Sequence, residues 1–312
     1  MSRCEDNLVA WFQTQCHSSA HQVLISIGDD MAQVKVREDA SALITTDMLL
    51  EGVHFDLSTT DLEQVGYKAM AVNLSDCAAM ATEPVAAVVS VGLPKSISEA
   101  DLKTLHQGMV RAGDQFDCPL VGGDTTCWHS NAPLVINVAM LSRPAAHCAP
   151  VQRSTAQIGD VVCVTGKLGG SLSGRHLSFT PRVHEALALT RLVPIHAMMD
   201  LSDGLSTDLT RLCRSSGVGA QVQAEKLPLT DAANATDDPV NAALNDGEDF
   251  ELLFSLSPDD CADLLSVWAL PTPITAIGQI IEGEDLLIFH GNQPAEILKP
   301  AGFDHFFETS KE

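Results

Sequence analysis

The hydrophobic positions of this chain fall into short apolar runs that alternate with longer amphipathic stretches. Short apolar or β-branched runs bounded by turn residues are typical of strands, and apolar positions three to four residues apart are typical of helices. Because the two patterns are interleaved, they indicate an α/β or α+β fold. The predicted strands are Gln22–Ile27, Ala42–Thr45, Val85–Leu93, Leu134–Leu141, Val161–Thr165, Ala197–Asp200, Phe250–Leu256 and Ile274–Ile281.

Capping residues mark several of the predicted helices. One helix spans Asp61–Ala81, with Asp61 as its N-cap and Pro84 just beyond its end. Ser98 and Asp101 have the spacing of a capping box, which predicts the start of a second helix. Further helices are predicted after the glycine-rich turn Gly166–Gly170, over Arg182–His196 and from about Ser202, and Thr230–Asn241 is predicted to be an exposed loop.

The segment Arg143–Pro150 interrupts the hydrophobic periodicity and contains two prolines. Such a break is typical of a connection between folded units, and a chain of 312 residues has the length of two domains. The sequence therefore predicts an N-terminal domain of residues 1–148 and a C-terminal domain of residues 149–312.

The charge balance limits the classes of partner. With 41 acidic and 18 basic residues, the chain has a formal net charge of −23. A surface of this sign repels nucleic acid and anionic lipid, so neither is predicted as a partner. It also repels ATP and phosphate esters, so an enzyme that handles them with this surface is predicted to depend on metal cations.

Targeting signals and cysteine usage both indicate an intracellular protein. No N-terminal run has the apolar character of a signal peptide, and no stretch reaches the length of a membrane span. The nine cysteines are scattered and form no CxxC pair, a pattern that fits reduced thiols. We therefore predict a cytoplasmic location and no membrane association.

Aspartates recur beside glycines and at the ends of predicted strands. Mg²⁺ prefers a few carboxylates together with water and substrate phosphates, and adjacent glycines let a phosphate approach the backbone closely. Taken singly, each of these aspartates also suits an ordinary turn or helix cap, so position alone leaves both interpretations open. The residues are Asp30, Asp47, Asp124, Asp200 and Asp203.

Asp76 differs from the others because it lies inside a predicted helix, between Leu74 and Ala78. A carboxylate on an apolar stretch of helix needs a partner. If several carboxylates converged at about 5 Å, each pair would repel by roughly 3 kcal/mol at an effective dielectric of about 20. Convergence would therefore predict a bound divalent metal.

Other phosphate-binding motifs are absent from the sequence. It contains no GxxxxGK[ST] motif and no protein-kinase signature. The backbone of Gly166–Gly170 could cradle a phosphate, although a plain strand-to-helix connection explains the same glycines. His54 and Glu248 are read either as ligand contacts or as ordinary loop residues.

Several short motifs follow one another in a fixed order along the chain. They are Gly28-Asp29-Asp30-Met31-Ala32, Thr45-Thr46-Asp47-Met48-Leu49, Gly52-Val53-His54-Phe55, Asn73-Leu74-Ser75-Asp76, Gly122-Gly123-Asp124-Thr125, Asp200-Leu201-Ser202-Asp203-Gly204-Leu205, Gly247-Glu248-Asp249-Phe250-Glu251-Leu252 and Gly302-Phe303-Asp304-His305-Phe306. Together this series resembles the thiamine-monophosphate kinase family, within the AIR-synthetase-like ATP-binding superfamily. The resemblance extends from Gly28 to Phe306.

The resemblance implies a two-domain AIR-synthetase-like fold and a homodimer. The N-terminal domain would carry a mixed sheet that pairs in the dimer and the ATP and Mg²⁺ site, and the C-terminal domain would be α/β. The implied reaction converts ATP and thiamine monophosphate into ADP and thiamine diphosphate by direct in-line transfer, so no covalent catalytic nucleophile is expected. Several Mg²⁺ ions and K⁺ are the implied cofactors.

The family's functional residues transfer to matching positions of this sequence. The implied Mg²⁺ ligands are Asp30, Thr45, Thr46, Asp47, Asp76, Asp124, Asp200 and Asp203. The implied ATP contacts are Gly123, Asp124, Arg153 and Ser202. The implied contacts to thiamine monophosphate are His54, Glu248 and Phe303, the last as a substitute for an aromatic residue of the family.

The chain departs from the family pattern on the thiamine side. Asp246 precedes Gly247 where the family has glycine, Phe250 replaces a tyrosine, and Pro300 lies where relatives carry the aromatic residue. These changes raise the question of whether the substrate preference is altered. Two alternatives remain: another ATP-dependent enzyme of the same superfamily, and a non-catalytic acidic metal-binding protein with this fold.

Overall fold

A computed structural model of the chain describes residues 5–15, 22–130, 132–291 and 293–304. Cys4, Cys16, His305 and Phe306 lie outside these ranges. The α-helices are α1 (Glu5–Gln15), α2 (Leu62–Ala79), α3 (Glu99–Asp114), α4 (Val183–Leu192), α5 (Leu205–Ser216), α6 (Asp231–Asn234), α7 (Pro239–Asn245) and α8 (Pro258–Val267). The strands are β1 (Val23–Ile25), β2 (Ala32–Arg37), β3 (Ala40–Leu50), β4 (Thr82–Leu93), β5 (Leu120–Cys127), β6 (Val135–Pro144), β7 (Val161–Thr165), β8 (Ala197–Asp200), β9 (Gly219–Gln223), β10 (Leu252–Leu256), β11 (Ile274–Ile281), β12 (Leu286–Phe289) and β13 (Glu296–Ile297).

The N-terminal half is built on a mixed sheet with the strand order β1-β2-β3-β6-β4-β5. Only β4 and β5 pair in parallel, and the other pairs are antiparallel. Helix α2 packs on one face, against β3, β6 and β4, and also contacts α3. Most of α2 is buried, because it lies between this sheet and the C-terminal half, where it also contacts β8.

Two glycines allow α2 and α3 to cross closely. A Cβ atom at Gly66 would lie 1.9 Å from the carbonyl oxygen of Leu105, and one at Gly108 would lie 1.9 Å from the carbonyl oxygen of Glu63. These distances are far inside van der Waals contact, so a larger residue at either position requires the helices to move apart. The contact fixes the position of α2, which carries Asp76 toward the centre of the molecule.

The C-terminal half contains a second sheet, with the order β13-β12-β9-β11-β7-β10-β8 among the described strands. Every residue of the adjacent strands β10 and β8 is buried. One hydrophobic cluster contains residues of both halves, including Met70 of α2 and Phe254 of β10. The two halves therefore share a core, and the end of β8 is placed beside α2.

Most of the predicted elements are confirmed, several with their predicted ends. Strands β7, β8 and β11 match the prediction. The side chain of Asp61 caps α2 by accepting from the Gln64 N–H at 2.8 Å, and Ser98 forms the predicted capping box of α3.

Three local predictions are wrong. Helix α4 ends at Leu192 rather than His196, because Pro194 disfavours helical backbone at the residue before it. The turn Gly166–Gly170 leads into two short 3₁₀ turns instead of an α-helix. The segment Thr230–Asn241 contains α6 and the start of α7, each opened by a side-chain cap.

Candidate functional site

A cleft of about 1260 Å³ is lined by residues of both halves. Its walls include the ends of β3 and β8, the turn after β3 and the loop before β10. Nearly all of the predicted site residues lie in it: Asp30, Thr45, Thr46, Asp47, His54, Asp76, Arg153, Asp200, Ser202, Asp203, Glu248 and Phe303. The fold thus gathers residues that are up to 273 positions apart (303 − 30) in the sequence.

Three of these aspartates come together at the inner end of the cleft. Asp30 lies just before β2, Asp76 in α2, and Asp200 at the end of β8. One carboxylate oxygen from each lies within 4.8 Å of the others. Three convergent carboxylates are the oxygen donor set that Mg²⁺ prefers, so the arrangement fits a divalent cation.

The electrostatics of this cluster disfavour three free carboxylates. Burial, followed by repulsion from neighbouring aspartates, raises the pKa of Asp76 and of Asp200 well above the usual range. The hydrogen bond that the Ser75 hydroxyl donates to Asp200 at 2.5 Å opposes this shift only in part. A bound cation would remove the repulsion and keep the carboxylates ionised.

The strand β3 adds a further carboxylate with an unused oxygen. Asp47 Oδ2 is buried and accepts no hydrogen bond, and burial followed by repulsion from Asp30 raises its pKa to about 6. An unsatisfied buried acceptor is rare in folded proteins and points to a missing ligand. On the same strand the Thr45 hydroxyl donates to Asp76, so β3 and α2 are joined at the cluster.

Thr46 lies on the opposite face of β3 from Thr45 and Asp47. Its hydroxyl donates to the Val138 carbonyl at 3.0 Å and accepts from Asn137 Nδ2 at 2.8 Å. It lines the outer edge of the cleft, where its side chain borders the open face of the N-terminal sheet.

Arg153 is the cation nearest to the aspartate cluster in the described contacts. It forms a two-pronged ion pair with Asp30, with Nε 2.9 Å from Oδ2 and Nη2 2.5 Å from Oδ1. Its backbone N–H also donates to Asp29 at 2.7 Å. The Asp30 side chain is inaccessible to solvent, and this pairing fixes both groups at the wall of the cleft.

The turn at the N-terminus of α5 brings Ser202 and Asp203 to the cleft. Gly204 has φ +110°, and an added Cβ would lie 2.9 Å from the Leu244 carbonyl oxygen, so the turn requires glycine. Asp203 is paired with Arg211, and its carbonyl accepts from the Phe303 N–H at 3.0 Å. That last contact places Phe303, which is 44% exposed, at the mouth of the cleft.

His54 and Glu248 form a second part of the cleft. The turn after β3 is closed by hydrogen bonds from Gly52 N–H to the Phe55 carbonyl at 2.8 Å and from Leu50 N–H to His54 Nδ1 at 3.0 Å. The Glu248 carboxylate is held by Lys68, at 2.7 Å from both oxygens. Burial opposes ionisation of Glu248, but His176 and Lys68 outweigh it and lower the pKa.

Gly123 and Asp124 lie apart from the other predicted residues. They belong to the edge strand β5, whose residues from Val121 onward are exposed, and they do not line the cleft. Asp124 pairs in register with Ser90 of β4, three strands from β3 in the sheet order. The expected convergence of all six aspartates is therefore not found within one chain.

The glycine-rich turn Gly166–Gly170 does not present free amides to a ligand. The Gly169 N–H donates to Asp249 at 2.9 Å, and the Gly170 N–H donates to Asp246 at 2.8 Å. Since the protein's own carboxylates take these donors, the turn serves as a connection, and the phosphate cradle is not supported.

The chain is similar to known proteins over nearly its whole length. The N-terminal domain of AIR synthase related proteins matches residues 28–143, and the C-terminal domain of the same proteins matches residues 157–290. The thiamine-monophosphate kinase of Rhodopirellula baltica is 36% identical over 297 residues, which cover 91% of this chain and 92% of that protein. The chain belongs to the thiamine-monophosphate kinase family. The family's Escherichia coli K12 member is 33% identical, with 97% of this chain and 98% of that protein covered.

Solved structures of the thiamine-monophosphate kinase family have the same fold. AaThiL complexed with AMPPCP and TMP superposes with a TM-score of 0.81 and 30% identity, and the match covers 97% of both chains. The thiamine-monophosphate kinase from Stenotrophomonas maltophilia K279a superposes with a TM-score of 0.73 and 31% identity, covering 92% of this chain and 97% of that one. The hydrogenase maturation protein HypE of E. coli, at 16% identity and a TM-score of 0.69, shares the fold.

The departures from the thiamine-monophosphate kinase pattern have structural explanations at two positions. The Asp246 carboxylate accepts a hydrogen bond from the Gly170 N–H, which holds this charge against the glycine-rich turn. The Phe250 ring stacks on Phe179 with centroids 4.3 Å apart and needs no hydroxyl partner. Pro300 is exposed and does not line the cleft, whereas Phe303 does.

Sequence reasoning missed two functional candidates, Lys68 and His176. Lys68 lies in the apolar stretch Val65–Met70 of α2, and the argument that singled out Asp76 applies equally to a lysine in that position. His176 lies in the 3₁₀ turn Arg175–Leu177, and no local pattern distinguishes it from a surface histidine.

Proposed function

We propose that this protein transfers the terminal phosphoryl group of ATP to thiamine monophosphate, which yields ADP and thiamine diphosphate. The observation that carries the proposal is the convergence of Asp30, Asp76 and Asp200 in a chain whose relatives are thiamine-monophosphate kinases over nearly its whole length. A relative of the same fold has been solved with AMPPCP and TMP. The cleft also has two chemically distinct ends, as two different substrates require.

We infer that the carboxylate end binds several Mg²⁺ ions. The unpartnered Asp47 Oδ2 and the raised pKa values of Asp76 and Asp200 support a cation at this point. When bound, Mg²⁺ would neutralise the phosphate oxygens and the charge that develops during transfer. K⁺ is proposed beside it on the family resemblance alone. The proposed Mg²⁺ ligands are Asp30, Thr45, Thr46, Asp47, Asp76, Asp124, Asp200 and Asp203.

The protein's own groups align the two phosphate-bearing substrates. Phosphoryl transfer depends on positioning and charge neutralisation far more than on covalent chemistry, so no nucleophilic side chain is assigned. Arg153, locked by its ion pair with Asp30, presents a fixed cation to the polyphosphate. Ser202 lies beside the N-terminus of α5, where the helix dipole favours an anion, and Gly123 and Asp124 complete the proposed ATP contacts.

The other end of the cleft is proposed to bind thiamine monophosphate. The thiazolium ring of thiamine carries a positive charge, and the ionised Glu248 carboxylate offers a fixed counter-charge. Phe303 offers a partly exposed ring for stacking. The turn that carries His54 forms the opposite wall.

We propose a homodimer formed through the open face of the N-terminal sheet. Helix α2 covers one face of that sheet, and the other exposes large apolar side chains, with Ile44, Met48 and Val88 between 43% and 53% exposed. Such a patch on adjacent strands is typical of a protein interface. Introducing Val88→Asp should give a monomer by light scattering, and an unchanged mass would refute this interface.

Asp124 lies on that same open face of the sheet. Across the strands, Asp124 is aligned with Ser90, Ser90 with Asn137, and Asn137 with Met48, and aligned residues on neighbouring strands point to the same face. Three strand spacings, about 14 Å, separate Asp124 from Met48. We therefore assign Asp124 to the cleft of a second copy that is stacked on this face.

A cytoplasmic location is proposed as well. Among the described residues the cysteines are free thiols, which suits a reducing compartment. The described helices include none that is both long and apolar enough to cross a membrane.

The test is product formation by the purified protein. With ATP, Mg²⁺ and thiamine monophosphate, equal amounts of ADP and thiamine diphosphate should appear on chromatography, and excess EDTA should stop the reaction. Thiamine without its phosphate should give no product. If no thiamine diphosphate forms although the protein is folded, the proposed function is wrong.

A matched pair of variants separates the site from the surface. Asp47→Asn should lose turnover by at least a hundredfold while remaining folded, because it removes a proposed metal ligand. Asp39→Asn, at a carboxylate that is 76% exposed, is the control and should keep normal turnover. Normal turnover of Asp47→Asn would exclude the metal role of this residue.

A further inference from the structure

Lys68 is among the largest side chains that are completely enclosed in the described structure. It lies in α2, in a stretch whose neighbours are buried. An ammonium group in such a place requires close partners. Burial lowers its pKa, and the Glu248 carboxylate opposes that shift. A fully buried lysine is rare in proteins, so a specific role is expected for this one.

The Lys68 ammonium joins three segments from both halves of the chain. Its Nζ donates to the His54 carbonyl at 2.7 Å and to both carboxylate oxygens of Glu248 at 2.7 Å. It also lies 2.9 Å from His176 Nδ1, and that nitrogen is 2.8 Å from Glu248 Oε2. The His176 ring therefore either accepts from Lys68 or donates to Glu248, depending on its tautomer.

The backbone of Glu248 is fixed independently of its side chain. Its N–H donates to the Ser202 carbonyl at 2.6 Å, and its carbonyl accepts from the Ser171 hydroxyl at 2.6 Å. Its φ of +53° lies in the left-handed region. With the backbone held, the direction of the carboxylate within the cleft is decided by the groups that bind it, which are Lys68 and His176.

We propose that Lys68 is the positioning residue of the thiamine-monophosphate subsite: its buried ammonium group holds the Glu248 carboxylate against the His54 turn and so sets the width of that end of the cleft. The inference rests on the proposed function. Lys68 itself has no exposed surface and acts only through residues that line the cleft. Its effect is therefore predicted to fall on thiamine monophosphate and not on ATP.

A purely structural role would make a different prediction, and the chain offers a matched control. Tyr67, the neighbouring residue of α2, also links α2 to the C-terminal half, through a hydrogen bond from its hydroxyl to the Phe179 carbonyl at 2.9 Å. Tyr67 does not line the cleft. If Lys68 served only to link the two halves, Lys68→Met, like Tyr67→Phe, would change KM for ATP and KM for thiamine monophosphate by similar factors.

The experiment measures KM for each substrate and, by calorimetry, the Kd of thiamine monophosphate. Lys68→Met is expected to raise KM and Kd for thiamine monophosphate at least tenfold and to leave KM for ATP within twofold. Tyr67→Phe is expected to leave both KM values within twofold. Equal changes for the two substrates, or no change for thiamine monophosphate, would overturn the proposal.

Because Lys68→Met leaves Glu248 without its main counter-charge, the substitution is also combined with Glu248→Gln, so that the double variant buries neither charge of the pair. If Lys68 acts through Glu248, adding Lys68→Met to Glu248→Gln should change KM for thiamine monophosphate by no more than threefold. A tenfold further rise would overturn the proposal even if the single variant does not fold. Absence of wild-type turnover refutes the proposed function and this inference together, whereas normal wild-type turnover with an unaffected variant refutes the inference alone.

Discussion

Replacing Asp47 by asparagine should stabilise the metal-free protein while it destroys activity. The Asp47 carboxyl is buried with one unpartnered oxygen, and burial followed by repulsion from Asp30 raises its pKa from 3.8 to about 6. Folding therefore favours the protonated carboxyl. The metal-free wild type should lose stability as the pH rises above about 4 and through about 6, and the variant should lack this loss.

The size of the effect follows from the shift. A difference of about two pKa units, at about 1.4 kcal/mol each, corresponds to about 3 kcal/mol at pH 8, about 1.6 kcal/mol at pH 5 and about 0.6 kcal/mol at pH 4. For a chain of this length that free energy amounts to a rise in Tm of roughly 5 °C. The asparagine keeps the shape of the side chain, so little change in packing is expected.

Thermal unfolding in EDTA, at pH 5 and pH 8, measures the effect. Adding Mg²⁺ should stabilise the wild type, by about 2.7 kcal/mol at a hundredfold excess over Kd, and the variant by clearly less. Asp39→Asn serves as the exposed control and should follow the wild type throughout. The reasoning fails if metal-free Asp47→Asn is no more stable than the wild type at pH 8, or if Mg²⁺ raises both melting temperatures equally.

Three further predictions concern helix packing, an ion pair and the dimer. Gly108→Ala should lower the stability by about 2 kcal/mol or more, since its Cβ would overlap the Glu63 carbonyl oxygen; urea denaturation measures this, and an unchanged midpoint contradicts it. Arg182→Met should cost about 2–3 kcal/mol by the same assay, because the buried Glu251 loses its two-pronged partner and keeps only the Thr165 hydroxyl and Arg175 Nη1 at 3.3 Å; a loss below about 1 kcal/mol contradicts it. Inactive Asp47→Asn and Asp124→Asn proteins can be unfolded together and refolded as mixed dimers. If Asp124 serves the partner's cleft, about a quarter of wild-type turnover should return, because half of the dimers are mixed and each of these has one intact cleft. If Asp124 serves the cleft of its own chain, no turnover should return.

Local patterns were sufficient to predict much of the fold. The apolar run Val161–Thr165 forms a buried strand, as predicted. The Ser98 capping box also forms, as the spacing indicates. Helix lengths near prolines and glycines were harder to predict. Residues 230–241 are polar, yet caps at Thr230 and Asp238 open short helices there, because capping hydrogen bonds can outweigh composition over one or two turns.

The candidate site shows where sequence reasoning stops. Burial of Asp76 was predictable from its apolar helix, and by the same logic Lys68 could have been found. The position of Asp124 could not, since it depends on the order of strands in the sheet and not on its own motif. Likewise, the Gly169 N–H donates to Asp249, a residue 80 positions later. Only folding brings the two residues together.

A structure determined with Mn²⁺, a non-hydrolysable ATP analogue and thiamine monophosphate tests the central claim most directly, because Mn²⁺ can be located by its anomalous signal. We expect peaks within about 2.2 Å of carboxylate oxygens of Asp30, Asp76 and Asp200, in contact with the nucleotide phosphates, and thiamine monophosphate between Glu248 and the His54 turn. Anomalous peaks elsewhere, or substrates bound with no metal at these aspartates, would contradict it.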